Sequence, residues 1–317
     1  MFSQWFQEAA PNPHSLQKQR KIVSYLVRYF QVNAPFKVSQ VIEAGSLGMG
    51  TTTSSKADID IVIMSKDLPQ KRHNTWLPSQ LENLQHLIER ASRGQPNIES
   101  FPELGEDAPQ TLPRCTDFFI TRFALQFKCS GLEVDLLISY DWELDPKGYK
   151  GLFDLCYSER NEEARLWYSA AAVKLQVEFI RSQSNEVKEV IIFMKHWAKE
   201  KVAWSHLSQK PKSYLLSLLV VRAAEEVSRT FSARENTINR KIGIIGALAR
   251  LVQQDRLNIA WSKYYDSTYQ YQSIWNAKRI IRDPANPVNN VADSGLTNWS
   301  QFVPKVVGLA RSLGQHV

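Results

Sequence analysis

Apolar and polar positions alternate in several stretches in the first half of this 317-residue chain, as they do in half-buried strands. Strands are predicted at residues 38–43, 59–64, 118–127 and 131–138. Before them, Ile22, Val23, Leu26, Val27 and Phe30 recur at helical spacing. This spacing predicts an amphipathic helix over residues 16–30, while the acidic, proline-rich stretch 97–113 predicts a loop between strands.

After residue 141 the apolar positions recur at helical rather than strand intervals. One apolar stripe runs through residues 187–198, and a second strongly apolar helix is predicted at 214–227. The change places a domain boundary near residue 160. The sequence therefore predicts an α+β protein of two lobes, with a mixed β-sheet lobe over 1–160 and a helical lobe over 161–317.

Two carboxylates occupy alternate positions at the start of the predicted strand 59–64. Asp58 and Asp60 alternate with isoleucines, so both project from the same side. Paired carboxylates suit a hard cation such as Mg²⁺. The preceding run 45–52, Gly-Ser-Leu-Gly-Met-Gly-Thr-Thr, can bring backbone N–H groups close to a polyphosphate. An isolated Asp-x-Asp also fits polar residues on an edge strand, but the glycine turn upstream favours a nucleotidyl-transfer site.

A third carboxylate comes from the predicted strand 131–138. Glu133 and Asp135 share its polar face, opposite an apolar face. If this strand lies beside the first, Asp135 joins Asp58 and Asp60, and the three carboxylates could hold two Mg²⁺ ions. We assign Asp135 to the position nearest an attacking hydroxyl and Glu133 to a solvated or salt-bridged neighbour.

Composition agrees with this picture without specifying it. The net charge of +7 favours a polyanionic partner, a nucleoside triphosphate or a nucleic acid, although many mildly basic proteins bind no nucleic acid. The three cysteines are far apart and form no Cys-x-x-Cys motif, so neither a disulfide framework nor a zinc finger is predicted. No basic leader or long apolar run is present, and we expect a cytoplasmic protein without a membrane partner.

Three further motifs carry a resemblance. They are Lys195-His196-Trp197, the run 261–266 (Trp-Ser-Lys-Tyr-Tyr-Asp) and the run 283–290 (Asp-Pro-Ala-Asn-Pro-Val-Asn-Asn). With the glycine turn and the Asp-x-Asp strand, these blocks resemble those of animal 2′-5′-oligoadenylate synthetases, in the same order and over nearly the whole chain. The resemblance extends to cyclic GMP-AMP synthase-like receptors, and it implies a bilobal nucleotidyltransferase of the polymerase-β type.

The resemblance implies a reaction and its residues. In the family, a ribose 2′-hydroxyl attacks the α-phosphate of ATP, pyrophosphate leaves, and 2′-5′-linked oligoadenylates form with the help of two Mg²⁺ ions. The implied catalytic and metal-binding residues are Asp58, Asp60 and Asp135. The implied nucleotide-binding residues are Gly45, Ser46, Lys195, Ser213 and Tyr214.

Each residue of the helical lobe also has a plainer interpretation. By resemblance, Lys195 contacts the triphosphate, Ser213 a phosphate, and Tyr214 stacks on the base. From the residues alone, Lys195 could be a solvated helix charge, Ser213 a helix N-cap and Tyr214 a core aromatic. We assign His196 and Trp197 to packing.

Family members of this kind are activated by double-stranded RNA, which is recognised through shape, phosphates and 2′-hydroxyls. The resemblance therefore implies an RNA partner and a role in innate antiviral sensing. The candidate RNA-binding residues are Lys18, Lys21 and Arg28 on the first predicted helix, and Arg181 and Lys188 in the second lobe. The basic face of the first helix could also be simply solvated.

Departures from the synthetase pattern leave alternatives open. Met49 replaces a lysine common in the glycine turn, Glu43 stands where a basic residue is often found, and Ser213 replaces the usual glutamine. The Ser213-Tyr214 pair is closer to cyclic GMP-AMP synthase-like enzymes, so a cyclic dinucleotide is the alternative product. A catalytically silent RNA-binding module is the alternative of another class, although three mutually repelling carboxylates argue against it. The chain ends without the Cys-Phe-Lys tail associated with oligomerising synthetases, and we expect a monomer.

Overall fold

The computed structural model describes residues 2–54, 58–159, 161–206, 210–228, 237–266, 269, 277–292 and 297–317. These residues form two compact units. The sheet unit comprises Pro11–Met49 and Lys56–Val177, and the helical unit comprises Met1–Ala10, Gly50–Ser55 and Glu178–Val317. The sequence predicted two consecutive domains divided near residue 160, whereas the chain passes from one unit to the other after residues 10, 49, 55 and 177. The N-terminal helix and the segment Gly50–Ser55 belong to the helical unit because they pack on its helices.

Helices make up most of the described chain. They are α1 (Phe2–Ala9), α2 (Pro13–Asn33), α3 (Gly45–Met49), α4 (His73–Ser92), α5 (Tyr149–Ser158), α6 (Glu162–Leu166), α7 (Val173–Arg181), α8 (Asn185–His196), α9 (Ser213–Ser228), α10 (Thr237–Val252) and α11 (Trp299–Ser312). A π-helical turn, Trp197–Lys201, continues α8. The helices predicted from the apolar spacing are confirmed, and α2 begins where the Asn12 side chain accepts hydrogen bonds from the first backbone N–H groups.

The sheet unit is built on a mixed five-stranded sheet. Its strands are β1 (Gln40–Glu43), β2 (Ile59–Ser65), β3 (Cys115–Ile120), β4 (Leu125–Cys129) and β5 (Leu132–Tyr140), in the order β1-β2-β5-β4-β3. β2 and β5 are parallel, and the other neighbouring pairs are antiparallel. The stretch 118–127, predicted as one strand-like run, instead contributes to two strands of a hairpin. Together with the helices, this sheet confirms the predicted α+β class.

Both faces of β2 are covered, which explains its burial. Ile59, Ile61 and Ile63 face the main core, which α2 and α4 also line. Val62 and Met64 face the other way, into a small apolar cluster with Ala44, Ala170 and Val177. The end of β2 that carries Asp60 lies beyond this cluster on the same face, because side chains alternate along a strand.

The helical unit packs α8, α9, α10 and α11 around an apolar core, and α9 is buried over most of its length. It also holds a small sheet of β6 (Leu257–Ile259), β7 (Arg279–Asp283) and β8 (Asn286–Asn290). Among the described residues, none of the helices has the length and apolar content that a bilayer-spanning helix requires.

Two cysteines that are far apart in sequence meet in the fold. Cys115 of β3 and Cys129 of β4 are directly opposite each other and buried as free thiols. A hydrogen bond with the Cys115 side chain, together with burial, raises the pKa of the Cys129 thiol. The Cys129 thiol is therefore held neutral within the hairpin.

Candidate active site

The glycine turn begins with a close approach between its backbone and a carboxylate. Gly45 has φ of +55°, and a Cβ atom built on it would lie 1.7 Å from Oδ2 of Asp60. The Ala44 N–H donates to the Asp60 carbonyl at 2.8 Å, which fixes the turn against β2. Only glycine accepts both this backbone conformation and this neighbour. Gly45 therefore makes the room in which the Asp60 carboxylate lies.

The rest of the turn forms the short helix α3 rather than an open loop. Gly48 is required there because a Cβ atom would lie 2.0 Å from the Glu43 carbonyl oxygen. Ser46 is partly buried as the second residue of α3. Met49, which departs from the synthetase pattern, packs its side chain against the apolar cluster beside β2. A lysine could cover the same surface with its stem, so the substitution removes a charge and adds apolar contact.

Asp60 and Asp135 are direct neighbours across the parallel strands β2 and β5. Such residues project from the same face of a sheet, with strands about 4.8 Å apart. Asp58 lies exposed two residues earlier, just before β2 begins. The prediction that the two strands lie side by side, with their aspartates on one face, is confirmed for Asp60 and Asp135.

A glutamine that the sequence did not single out orients one of these carboxylates. Gln126 of β4 is opposite Asp135, and its Nε2 donates to Asp135 Oδ1 at 2.8 Å. Glu133 is exposed on the same face, opposite Lys128. A period-2 pattern alone does not reveal which β4 residue will meet Asp135, because the hairpin register decides it.

Asp60 and Asp135 form a pair of carboxylates that suits a hard cation, and Asp58 comes two residues before Asp60. No group of three or more metal-ligating side chains is assembled within the residues that the structure describes. Like charges repel, so three carboxylates converge only where a cation neutralises them. The in-register pair Asp60 and Asp135, the space at Gly45 and the preceding Asp58 supply oxygen donors of the type that Mg²⁺ prefers.

Lys195 has a defined contact in the helical unit. Its Nζ donates to the Thr51 carbonyl at 2.8 Å and lies 3.4 Å from the Thr51 hydroxyl. Thr51 is fully buried, and it follows directly after the glycine turn. The interpretation of Lys195 as a merely solvated helix charge is therefore wrong, because the ammonium group holds this segment from the end of α8.

Ser213 and Tyr214 begin α9, with Ser213 exposed and Tyr214 partly buried. The Tyr214 hydroxyl donates to Asp283 Oδ1 at 2.9 Å. Burial and the negative charge of Asp283 raise the pKa of Tyr214 well above its usual value, so the phenol stays a donor. This bond fixes the polar end of the tyrosine, as positioning the ring for stacking would require.

Asp283 is a second residue that the sequence analysis did not single out. Its side chain is fully buried and accepts hydrogen bonds from Tyr214, from the Ala285 N–H at 2.9 Å and from Asn289 Nδ2 at 3.1 Å. The Tyr265 hydroxyl donates to the Asp283 carbonyl at 2.6 Å. The 283–290 motif contributes to the β7–β8 hairpin that holds the Tyr214 hydroxyl, a contact that the sequence pattern does not reveal.

The candidate RNA-binding residues of α2 are already paired within the sheet unit. Lys18 forms an ion pair with Glu99 at 2.7 Å, and Lys21 donates to the Phe101 carbonyl at 2.7 Å. Arg28 donates to the carbonyls of Gly105 and Glu106. The predicted loop 97–113 thus covers this face of α2, which is neither bare nor simply solvated.

Arg181 and Lys188 lie close together where α7 gives way to α8. Lys188 Nζ is 3.4 Å from the Arg181 carbonyl, and the Arg181 side chain is exposed. Lys263, from the 261–266 motif, donates to Ser182 Oγ at 3.1 Å and adds a third positive charge beside them. The helical unit therefore carries a small basic patch formed by Arg181, Lys188 and Lys263.

The fold is that of nucleotidyltransferases. It is similar to CdnC of E. coli MS115-1 in a complex with HORMA-deltaN, with a TM-score of 0.60, 19% identity and coverage of 99% of this chain and 89% of that chain. It is also similar to a cytoplasmic RNA terminal U-transferase, with a TM-score of 0.57, 13% identity and coverage of 99% and 93%.

Sequence comparison defines the family more closely. Residues 142–312 match the family model described as 2′-5′-oligoadenylate synthetase 1, domain 2, C-terminus. The chain is 28% identical over 307 residues to 2′-5′-oligoadenylate synthase 1A of Mus musculus, covering 87% of this chain and 76% of that protein. It is 23% identical to the inactive 2′-5′-oligoadenylate synthase 1B of Rattus norvegicus, covering 87% and 73%. The chain belongs to the 2′-5′-oligoadenylate synthetase family, and the resemblance noted in its sequence is confirmed.

Proposed function

We propose that this protein is a Mg²⁺-dependent nucleotidyltransferase that joins ATP into 2′-5′-linked oligoadenylates, releases pyrophosphate and is activated by double-stranded RNA. The observation that carries the proposal is the in-register pair Asp60 and Asp135, with the room that Gly45 leaves at Asp60. A chain without catalytic chemistry has no need to hold two carboxylates side by side.

The carboxylates of the sheet unit would hold the metal. Asp58, Asp60 and Asp135 are the proposed ligands of two Mg²⁺ ions, which when bound neutralise the triphosphate and acidify the attacking hydroxyl. Asp135 is the proposed ligand nearest that hydroxyl, and the hydrogen bond from Gln126 restricts the direction of its carboxylate. Supporting bonds of this kind tune metal ligands in other enzymes.

The nucleotide would be held by Gly45, Ser46, Lys195, Ser213 and Tyr214. Lys195 is the proposed fixed positive charge for the triphosphate, and its bond to Thr51 keeps the ammonium group directed at the chain that follows the glycine turn. Tyr214 is the proposed stacking surface for the base, with its hydroxyl held by Asp283. In-line attack then depends on positioning and charge neutralisation.

Double-stranded RNA is the proposed activator. Arg181 and Lys188 support this proposal best, because they form a basic patch with Lys263. The contribution of Lys18, Lys21 and Arg28 stays a prediction, and RNA phosphates would have to displace their present partners on the loop 97–113. A monomer and a cytoplasmic location also stay predictions.

A cyclic dinucleotide is the second candidate product, favoured by the Ser213-Tyr214 pair. A silent RNA-binding protein is the third candidate, since some relatives are named inactive. One assay separates the three. The protein is incubated with labelled ATP, GTP, CTP and UTP, Mg²⁺ and double-stranded RNA, and the products are resolved after phosphatase treatment and after digestion by a 3′-5′-specific nuclease.

Each outcome selects one candidate. A ladder of trimmed oligoadenylates that resists the nuclease supports the leading proposal, and one phosphatase-resistant species supports the cyclic product. No product with RNA still bound supports the silent module. Asp135→Asn should lower product formation by at least about 100-fold, since loss of a supporting residue alone costs 10- to 100-fold in metal sites. Glu133→Gln is the matched control on the same strand and should retain activity.

A further inference from the structure

A cavity lies in the sheet unit beside the end of α4. It has a volume of about 550 Å³, which is within the range of small-molecule pockets. Its walls come from the last turn of α4, from the segment that follows this helix and from the start of β3. None of the residues that line it is a proposed active-site residue, so the cavity is a separate feature of the unit.

Hydrogen bonds tie together the two stretches of chain that form the walls. The Leu112 N–H donates to the Ala91 carbonyl at 3.0 Å, and the Arg114 N–H donates to the Pro96 carbonyl at 2.9 Å. The Arg114 carbonyl in turn accepts from the Ser130 N–H at 2.8 Å. The backbone of Arg114 is therefore fixed beside the chain that follows α4, and a ligand would not have to order these walls.

Two arginines bring positive charge to the cavity. Arg93 follows α4 directly, Arg114 precedes β3, and both side chains are exposed. Neither guanidinium group has a hydrogen-bond or ion-pair partner among the residues that the structure describes. A guanidinium group presents its N–H donors in a planar fork that matches the oxygens of a phosphate. The donors of Arg93 and Arg114 are therefore available to a ligand.

The end of α4 does not require Arg93 as a partner. A helix leaves its last carbonyls unpaired, and basic side chains often bind them. Here the Ala91 carbonyl accepts a backbone N–H from the opposite wall, and the Ser92 carbonyl accepts from the Gln95 N–H at 3.1 Å. Because backbone donors satisfy these two carbonyls, the Arg93 side chain can be directed at a ligand.

One carboxylate also lines the cavity, and its hydrogen bonds are made along its own helix. Glu89 Oε1 accepts from Gln85 Nε2 at 2.7 Å, and Glu89 Oε2 lies 3.7 Å from His86 Nδ1. With two arginines and one glutamate among the described residues that line it, the cavity has an excess of positive charge. It therefore favours an anionic ligand.

An aromatic ring supplies an apolar part of the wall. Phe118 of β3 lines the cavity and is partly exposed. Its ring stacks on Phe127 of β4, with centroids 5.5 Å apart and planes 19° apart, which holds it in place. The cavity is larger than a phosphate ion alone requires, so its shape suits a phosphate attached to an apolar body that reaches this ring.

We propose that this cavity binds a small phosphate monoester with an apolar body. The guanidinium groups of Arg93 and Arg114 bind the phosphate oxygens, and the body packs against the exposed part of Phe118. Duplex RNA is recognised over broad surfaces through its phosphates and 2′-hydroxyls, and it would make no use of an apolar wall in a concave site.

Phenyl phosphate is the probe, because it joins a phosphate monoester to one apolar ring. Its aromatic protons are followed by saturation-transfer and titration NMR with the full chain, without nucleotide or RNA and with a chelator that removes Mg²⁺. Phenyl phosphate should bind, and phenol should not. Inorganic phosphate should compete at least about tenfold more weakly, since it lacks the apolar ring. Because neither nucleotide nor Mg²⁺ is present, the result is independent of the proposed enzymatic activity.

Variants locate the binding. Arg93→Glu and Arg114→Glu should each weaken phenyl phosphate binding by at least about tenfold, through loss of hydrogen bonds to a charged group. Arg90→Glu is the matched control, because Arg90 is exposed in the last turn of α4, does not line the cavity and changes the net charge equally. It should retain binding at physiological salt, where screening weakens charges that do not touch the ligand. Circular dichroism verifies that each variant is folded.

Three results would overturn the proposal. The first is the absence of phenyl phosphate binding by the wild-type chain. The second is an affinity for inorganic phosphate that equals the affinity for phenyl phosphate, which would remove the apolar body. The third is an equal affinity of Arg90→Glu and the two cavity variants, which would place the phosphate elsewhere or reduce the effect to general charge. Binding that Arg93→Glu and Arg114→Glu weaken and Arg90→Glu retains would establish the site.

Discussion

Replacing Gly45 with alanine tests whether the glycine turn positions the Asp60 carboxylate, one of the proposed catalytic groups. The new methyl group would lie 1.7 Å from Asp60 Oδ2 and 2.6 Å from Asp60 Cγ, well inside van der Waals contact. Either the Asp60 side chain or the backbone at residue 45 must therefore move. The carboxylate is the outer end of a rotatable side chain, whereas the backbone next to Gly45 is tied to β2 by the Ala44–Asp60 hydrogen bond, so the Asp60 side chain is the group that shifts.

Two costs of this change can be separated. The backbone of Gly45 has φ of +55°, a conformation that costs an L-residue about 1–2 kcal/mol. Displacement of the carboxylate by about 1 Å adds a loss of roughly 100-fold in the reaction rate, the typical effect of such a misplacement. We expect Gly45→Ala to lower the free energy of unfolding by a few kcal/mol at most and to lower kcat by at least about 100-fold.

Gly94→Ala is the matched control. Gly94 has φ of +71°, and a Cβ atom there meets nothing within 4 Å, so only the backbone cost applies. Denaturant unfolding of both variants gives the stability change, and the product assay at saturating RNA and nucleotide gives kcat. If Gly45→Ala keeps kcat within about threefold of the Gly94→Ala value, the close approach to Asp60 does not position the carboxylate and the reasoning fails.

Three further predictions concern other parts of the molecule. Tyr214→Phe leaves the buried Asp283 carboxylate without one of its donors, and we expect lower stability by about 1–3 kcal/mol with a raised KM for nucleotide; unchanged unfolding and KM would contradict the anchoring role. Burial lowers the pKa of His73 to about 4, so the unfolded chain binds a proton that the folded chain refuses, and stability falls as the pH falls from 6.5 towards 4. Urea unfolding between pH 7.5 and 4.5 should show a weaker pH dependence for His73→Gln, and an identical dependence would refute the assignment. Arg181→Glu should raise the RNA concentration for half-maximal activity by about tenfold without changing kcat at saturation, whereas an unchanged titration curve would remove Arg181 from the RNA face.

Alternation of side chains made the carboxylates of β2 and β5 predictable. A strand that is apolar on one face must turn Asp60 or Asp135 to the other, whatever the remainder of the fold. The contact between Gly45 and Asp60 was less accessible, because it depends on how the turn folds back on β2. The pattern indicated a flexible turn, whereas the structure shows a short helix. Gly45 and Gly48 are needed in it because a Cβ atom would collide with Asp60 and with the Glu43 carbonyl, respectively.

Long-range partners explain what the sequence left open. The basic face of α2 could have been solvated or have bound RNA, and only the fold shows that the loop 97–113 covers it. Asp283 was invisible as a positioning residue because its partner Tyr214 lies 69 residues away. Propensity and periodicity describe neighbours along the chain, and such pairs are decided by tertiary packing.

The pairing of α2 with its own loop has a consequence for how RNA binding depends on salt. Each phosphate that a free lysine or arginine neutralises releases condensed counterions from the nucleic acid, and affinity then falls steeply as salt rises. Lys18 already has Glu99 as its counter-charge, so it contributes little to such release unless that ion pair opens. The total of 39 lysines and arginines therefore overstates the number of cations available to phosphates, and the affinity for duplex RNA should decline with added salt less steeply than that total suggests.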